Sequence, residues 1–329
     1  MEIRRAIGLV KDKTSIKLAK AARNADGHLE ALIVKATSHN AGAAPGEKHL
    51  EEIVTVTWSS KPRAYSCVNS ISKRLQKTRD WAVALKSLIL VHKLATEGGD
   101  AIREEIAYAS SGRFSGFLDL LGFKDESYPE SLDYSEFVRS YGDYLGQKVR
   151  SMNTDEEDSK RDFGKVKRLQ GLLDRVLRCR PVGVARSNKI VIAALHLVVV
   201  DSFEVYGDLC ESLSLILDEF PDLGFERSAF AFELYVKAAK QIDALYEYYG
   251  ACRDVGVGNS VGYPEVKKIS NDLIKSLEEF LKVKLEVSTE AETTSRSGVK
   301  EEEESIWMLP PPLPAMDEIV TGDLIDFIQ

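Results

Sequence analysis

Lys35 and His39 stand on one side of a short Gly/Ala/Pro stretch, and Lys48 and His49 stand on the other, within Lys-Ala-Thr-Ser-His-Asn-Ala-Gly-Ala-Ala-Pro-Gly-Glu-Lys-His. Ammonium groups donate hydrogen bonds only, and imidazole joins them when protonated. Four such groups converging on one exposed surface suit a multiply charged phosphate better than a single carboxylate. A plainer reading has them as ordinary solvated residues beside a loop. In either case two helices must carry them: one run ends near Thr37, another opens near Glu47, and the linker between is too short to hold a core of its own.

A second candidate surface lies at the N-terminus. Residues 2–13 place Ile3, Ile7 and Val10 at helical spacing, with Arg4, Arg5, Lys11 and Lys13 largely on the other faces. Such a helix can lie in a lipid interface, with Ile3, Arg4, Arg5 and Ile7 as contacts, or it can dock on the domain as an ordinary first helix. Thr14 or Ser15 would then cap the next helix.

Charge does not oppose contact with an anionic surface. The chain of 329 residues carries a net −8, but residues 286–329 hold eleven acidic residues against Arg296 and Lys300, leaving 42 basic and 41 acidic residues before them. Residues 1–50 carry nine Lys/Arg against five Asp/Glu. That end can face a negative membrane. Cys67, Cys179, Cys210 and Cys252 are scattered without a Cys-x-x-Cys pair, which reads as reduced, buried thiols in a cytosolic protein. The apolar run 190–200 falls short of the roughly 20 residues a spanning helix needs, so membrane contact would be peripheral. No Gly-rich phosphate loop, metal-spaced cluster or nucleophile with an adjacent base is present, so neither an enzyme nor a cofactor is expected. A near-neutral folded part without a basic, aromatic-interleaved stripe disfavours nucleic acid.

The elements read as helix after helix. Residues 53–58 alternate and are β-branched, which favours a strand locally, yet a helix is expected there. Asp80 is an N-cap for a helix bearing Trp81, Leu85, Leu88, Ile89 and His92 and stopping at Gly98-Gly99. His92 on that apolar stripe reads as a core residue. Phe114, Phe117, Leu118 and Leu121 are expected as the buried side of 113–123, and Tyr134, Phe137, Val138, Tyr141, Leu145 and Val149 form a ladder at helical spacing. Residues 153–162 should be an exposed connection. Later helices are read over 166–177, from an Asn188 cap through Leu197, over 229–252 after Ser228, and over 266–285. Stacked helical hairpins, an α-solenoid, are the simplest all-α architecture. Beyond residue 285, Ser/Thr/Glu-rich and proline-rich sequence reads as a disordered tail. It ends in the acidic-hydrophobic peptide Leu324, Ile325, Asp326, Phe327, and contains neither Asn-Pro-Phe nor Asp-Pro-Phe.

Lys-Ala-Thr-Ser-His, a short variable loop and Lys-His-Leu together resemble the phosphoinositide-binding signature of the ANTH domain of clathrin assembly proteins. The run from Trp81 to Leu94, Phe-Val-Arg-Ser-Tyr at 137–141 and the helix over 266–285, which resembles the family's terminal Leu-x-x-Leu-Glu stretch, point to the same family. The likeness spans about residues 1–285. It implies a right-handed α-solenoid, the ANTH/ENTH-like superhelix, with the phosphatidylinositol 4,5-bisphosphate headgroup held by Lys35, Lys48 and His49. Animal members have a lysine where Gly46 stands. The resemblance further implies clathrin heavy chain docking on residues 324–327, R-SNARE cargo of the VAMP type, and peripheral location on coated pits and vesicles at the plasma membrane and Golgi. A helical scaffold that binds SNARE cargo without direct lipid or clathrin binding is the alternative.

Overall fold

The computed structural model describes residues 2–22, 25–113, 116–152, 163–257 and 262–296. These are all-α, with no strand among the described residues: α1 Glu2–Ala21, α2 Ala25–Ala36, α3 Glu47–Thr57, α4 Lys61–Lys77, α5 Trp81–Glu97, α6 Asp100–Tyr108, α7 Ser131–Ser151, α8 Phe163–Arg178, α9 Lys189–Glu219, α10 Phe225–Asp254 and α11 Asn271–Arg296. A π turn Ala109–Arg113 follows α6, and a 3₁₀ turn Gly183–Ser187 precedes α9. Within the single helical domain expected over 1–285, the helices group into two compact units. The first comprises Met1–Glu156, Leu172–Phe203 and Glu247–Tyr263, and the second Glu157–Gly171, Glu204–Tyr246 and Pro264–Gln329.

Several elements follow from local chemistry. Asp80 accepts hydrogen bonds from Ala82 N (2.9 Å) and Val83 N (3.0 Å), satisfying two of the donors that open α5. The ladder on α7 is buried throughout, and its Tyr134 stacks on Trp81 with ring centroids 3.8 Å apart. Burying each such side chain is worth roughly 1.5–3 kcal/mol. The β-branched stretch in α3 is helical because Ile53, Val54 and Thr57 all turn inward. Thr55 and Thr57 satisfy their hydroxyls on the helix's own carbonyls. Tertiary burial outweighs a propensity difference of under about 1 kcal/mol per residue.

Other expectations are corrected. Thr14 does not cap a new helix; its Oγ1 donates to Val10 O inside a continuous α1. Leu121 is exposed, because the chain leaves helical geometry and turns at Gly116, where φ is +89°. The apolar helix after Asn188 does not stop near Leu197 but runs to Glu219, where Pro221 closes it. By length and composition it could cross a membrane. Ile190, Val191, Ala194, Leu195, Val198 and Val199 are instead fully buried among other helices, as in a core helix. The last helix starts five residues later than expected and stays helical eleven residues past Leu285. That extension carries the helix formers Glu286, Glu290, Ala291 and Glu292. The connection 153–162 lies outside the described residues.

In the first unit, the loops that precede α5, α7 and α9 meet along one edge. Trp81 N donates to Asp125 Oδ2 (3.0 Å) and Trp81 Nε1 to Tyr128 Oη (2.9 Å). Val184 N donates to Asp133 Oδ2 (3.0 Å), and Asn188 Nδ2 reaches Ala41 O (3.4 Å). The same unit contains a buried polar cluster that no local pattern announces. Asp201 Oδ2 accepts from Tyr144 Oη (2.5 Å) and is paired with Lys148 Nζ (2.5 Å) and His92 Nε2 (2.7 Å), while His92 Nδ1 meets Tyr141 Oη (2.8 Å). His92 is therefore a satisfied core residue, as its place on the apolar stripe predicts.

Candidate functional site

The loop between α2 and α3 is bolted down along its first half. Arg74 Nη2 donates to Thr37 O (2.7 Å) and to Asp12 Oδ1 (2.9 Å). The other Asp12 oxygen accepts from His39 N (2.8 Å) and pairs with His39 Nδ1 (2.9 Å). Burial alone would raise the Asp12 carboxyl, but the hydrogen bonds from His39 and Arg74 prevail and hold it below the usual range. The buried Lys86 ammonium donates to Asn40 O (2.8 Å) and Ser38 O (3.2 Å). Backbone carbonyls that a loop would leave to water are thus satisfied from beneath, which fixes its shape. Asp12, Arg74 and Lys86 were not legible as parts of this site.

The second half presents donors outward. Gly46 opens α3 with extended backbone and no capping side chain, and its carbonyl takes His49 N at 2.9 Å. The acid of the first turn, Glu47, is drawn to Lys93, which also reaches Glu97 at 3.2 Å. Burial lowers the Lys93 pKa, but the pairs with Glu47 and Glu97 outweigh it, and the net shift is upward. Three cationic or protonatable side chains flank the loop. Lys48 is exposed, Lys35 and His49 are half-buried, and among the described residues none of these three side chains has a hydrogen-bond or ion-pair partner. Of the four sequence candidates, Lys35, Lys48 and His49 flank the loop with their donors unspent. His39 is turned inward to Asp12 and positions the loop instead.

Helix α1 has two faces. Gly8, Asp12 and Ala19 face inward, and a Cβ added at Gly8 would come within 2.6 Å of the His39 ring, so only glycine lets the helix approach this closely. On the opposite side Val10 (61%) and Leu18 (68%) are exposed at helical spacing, and Ile7 (49%) stands at the margin, lining a cavity together with Gly8 and His39. The side chains of Ile3, Arg4 and Arg5 lie outside the described residues, but Ile3 falls in register with this stripe. Ile7 is therefore not a core residue. Changing Ile7 and Val10 together to Ser is expected to leave the thermal midpoint within about 2 °C of wild type, since neither side chain is buried. It should weaken binding to small, highly curved vesicles more than to large ones. A lowered midpoint with unchanged vesicle binding would overturn the two-faced assignment.

Between α1 and the bolted loop is a cavity of about 290 Å³ lined by Lys11, His39, Arg79, Asp80, Asp125 and Tyr128. Both carboxylates there accept backbone N–H groups, whereas Lys11 and Arg79 have no partner among the described residues. These two cations extend the basic surface beyond the candidates read from sequence. The peptide Leu324, Ile325, Asp326, Phe327 lies outside the described residues.

The site is thus a fixed loop flanked by the ammonium groups of Lys35 on α2 and Lys48 on α3 and by the His49 imidazole, in an all-helical module. The chain belongs to the ANTH domain family, whose model matches residues 28–164 and 155–283. A probable clathrin assembly protein of Arabidopsis thaliana is 36% identical to it, over 86% of this chain and 55% of that protein. The clathrin coat assembly protein AP180 of Arabidopsis thaliana is 32% identical, over 98% of this chain and 55% of its own length. The chain thus spans little more than half the length of these relatives.

Proposed function

We propose that the chain is an adaptor of clathrin-dependent endocytosis and vesicle budding, with no catalytic role. It docks on membranes containing phosphatidylinositol 4,5-bisphosphate through Lys35, Lys48 and His49, and recruits clathrin heavy chain through residues 324–327. The observation that carries the lipid half is the set of three unspent donors beside a loop whose neighbouring acids, Asp12 and Glu47, are both neutralised by cations of the domain. Of the acids one turn further along α3, Glu52 is paired with His28 at 2.8 Å, and Glu51 is exposed. Clathrin and coat partners are what the relatives' names suggest, and VAMP-type SNARE cargo, together with location on coated pits, Golgi and cytoplasmic vesicles, follows from the same family reading.

The test is Lys35→Ala with Lys48→Ala. Each lysine near an anionic surface contributes about 1 kcal/mol, so the pair should lower affinity for phosphatidylinositol 4,5-bisphosphate vesicles about thirty-fold at unchanged helical content. Wild-type binding should also fall as salt shortens the Debye length from about 10 Å. Conversely, Gly46→Lys places an ammonium where animal members carry one and should strengthen binding about five-fold. The added Cβ meets only the His49 ring, at 3.1 Å, and that side chain can swing aside. Vesicle binding unchanged by the double substitution would sink the site, and a wild-type protein that ignores such vesicles would leave the protein-scaffold reading in its place.

A further inference from the structure

Between Asp174 and Asp201 the chain has five basic residues and no acidic one, in a protein whose net charge is −8. The loop from α8 to α9 lies at the centre of this stretch. Its 3₁₀ turn is held rigidly. Gly183 has φ +48°, and a Cβ there would come within 2.0 Å of Asp133 Oδ2, the atom that accepts Val184 N. Asn188 Oδ1 caps α9 through Ile190 N (2.9 Å), and Asn188 Nδ2 reaches across to Ala41 O in the loop between α2 and α3. Within this fixed turn Ala185 is buried, while Val182 (38%) and Val184 (42%) face out. Arg186 and Lys189 beside them are exposed and have no partner among the described residues.

We propose that this turn is a second membrane-contacting element, in which Val182 and Val184 enter the headgroup boundary and Arg186 and Lys189 pair with anionic lipid. The inference rests on the membrane reading given above and extends it to a part of the chain remote in sequence from the phosphoinositide loop. Two properties single out a lipid surface as the occupant. The apolar side chains are few and isolated, with Arg186 and Lys189 beside them and the Asp133 carboxylate engaged by Val184 N, which matches the boundary of an anionic bilayer and is too small for a stable protein interface. The turn also touches the loop that the candidate headgroup donors flank, through the Asn188 to Ala41 contact. A bilayer that engages one can be met by the other. The contact needs negative charge and no particular headgroup, because two separate cations and two valines read no stereochemistry.

The full chain carrying Arg186→Ala and Lys189→Ala should bind vesicles of phosphatidylcholine with phosphatidylserine and phosphatidylinositol 4,5-bisphosphate about thirty-fold more weakly than wild type. Its affinity for soluble inositol trisphosphate should be unchanged, since the headgroup donors are untouched. A separate readout uses Val184→Cys labelled with an environment-sensitive fluorophore. The four native cysteines are buried, so the label goes to position 184 alone, and its emission should shift to the blue when vesicles are added. Full vesicle affinity in the charge variant, or a label that stays in water on bound vesicles, would overturn the proposal and point to a protein partner for the turn. If the charge variant loses vesicle binding while Lys35→Ala with Lys48→Ala does not, the headgroup site is wrong and this inference stands. A wild-type chain that binds no anionic vesicle overturns both.

Discussion

Replacing Asp201 by alanine is expected to destabilise the first helical unit by about 3–5 kcal/mol, read as a fall in the urea midpoint at unchanged slope. The carboxylate is buried and a single oxygen serves His92, Lys148 and Tyr144. Removing it leaves a largely buried ammonium without its counter-charge and two buried donors without an acceptor, which costs far more than the methylene and carboxyl contacts alone. Asp201→Asn retains shape and one acceptor, so it should recover part of the loss. If alanine costs under about 1 kcal/mol, the cluster is not acting as a connected network.

The same cluster sets a pH dependence whose sign follows from burial. Burial pushes the His92 pKa down, and this outweighs the upward pull of Asp201. Below about pH 6.5 the unfolded chain therefore takes up a proton that the folded state refuses, and stability falls by up to about 1.4 kcal/mol per pH unit. Asp201 behaves as the complementary case. Burial raises its pKa, but His92 and Lys148 pull it well below the carboxylate range, so its contribution is present above about pH 3.9 and is lost only in stronger acid. Urea midpoints measured between pH 8 and 5 should show the His92 slope, and His92→Gln should remove it.

Truncation after Gly322 is expected to reduce pull-down of the clathrin heavy-chain terminal domain to background while leaving vesicle binding intact. Leu324, Ile325 and Phe327 form a strongly apolar cluster beyond the proline run, preceded by Asp323 and interrupted by Asp326. In short-peptide interfaces a few pocket-filling side chains carry most of the energy, and backbone pairing supplies register. Leu324→Ala with Phe327→Ala should consequently match the truncation. Clathrin retained by the truncated chain would move the coat contact to the helical domain.

What could be read in the sequence was local. The Asp80 cap, the Tyr134 to Val149 ladder and the helix ends at Ala36 and Glu47 each depend on neighbours within a turn or two, and these are where expectation and structure agree. The inward turn of His39 depends on Asp12, 27 residues away, and on Arg74. No spacing rule connects them, so His39 looked equivalent to Lys35 and His49. The bolt from Lys86 was hidden for the same reason: a lysine in an apolar run looks like an exposed interruption until the carbonyls it serves are known. Thr14 misled in the opposite direction, since a hydroxyl that can cap a helix can equally bond back to its own preceding turn.

The close seating of α1 through Gly8 and the Asp12 to His39 contact bears on speed. An N-terminal helix that folded only on reaching a bilayer would have to offset roughly 1–2 kcal/mol of backbone entropy per residue during the encounter. Here the 20 residues of α1 are already ordered and held against the domain with their apolar stripe outward. On the membrane docking proposed above, landing would be a collision between a preformed surface and the bilayer, with a rate set by diffusion and electrostatic steering. Substitutions in the stripe should show up mainly as faster departure, and added salt mainly as slower arrival.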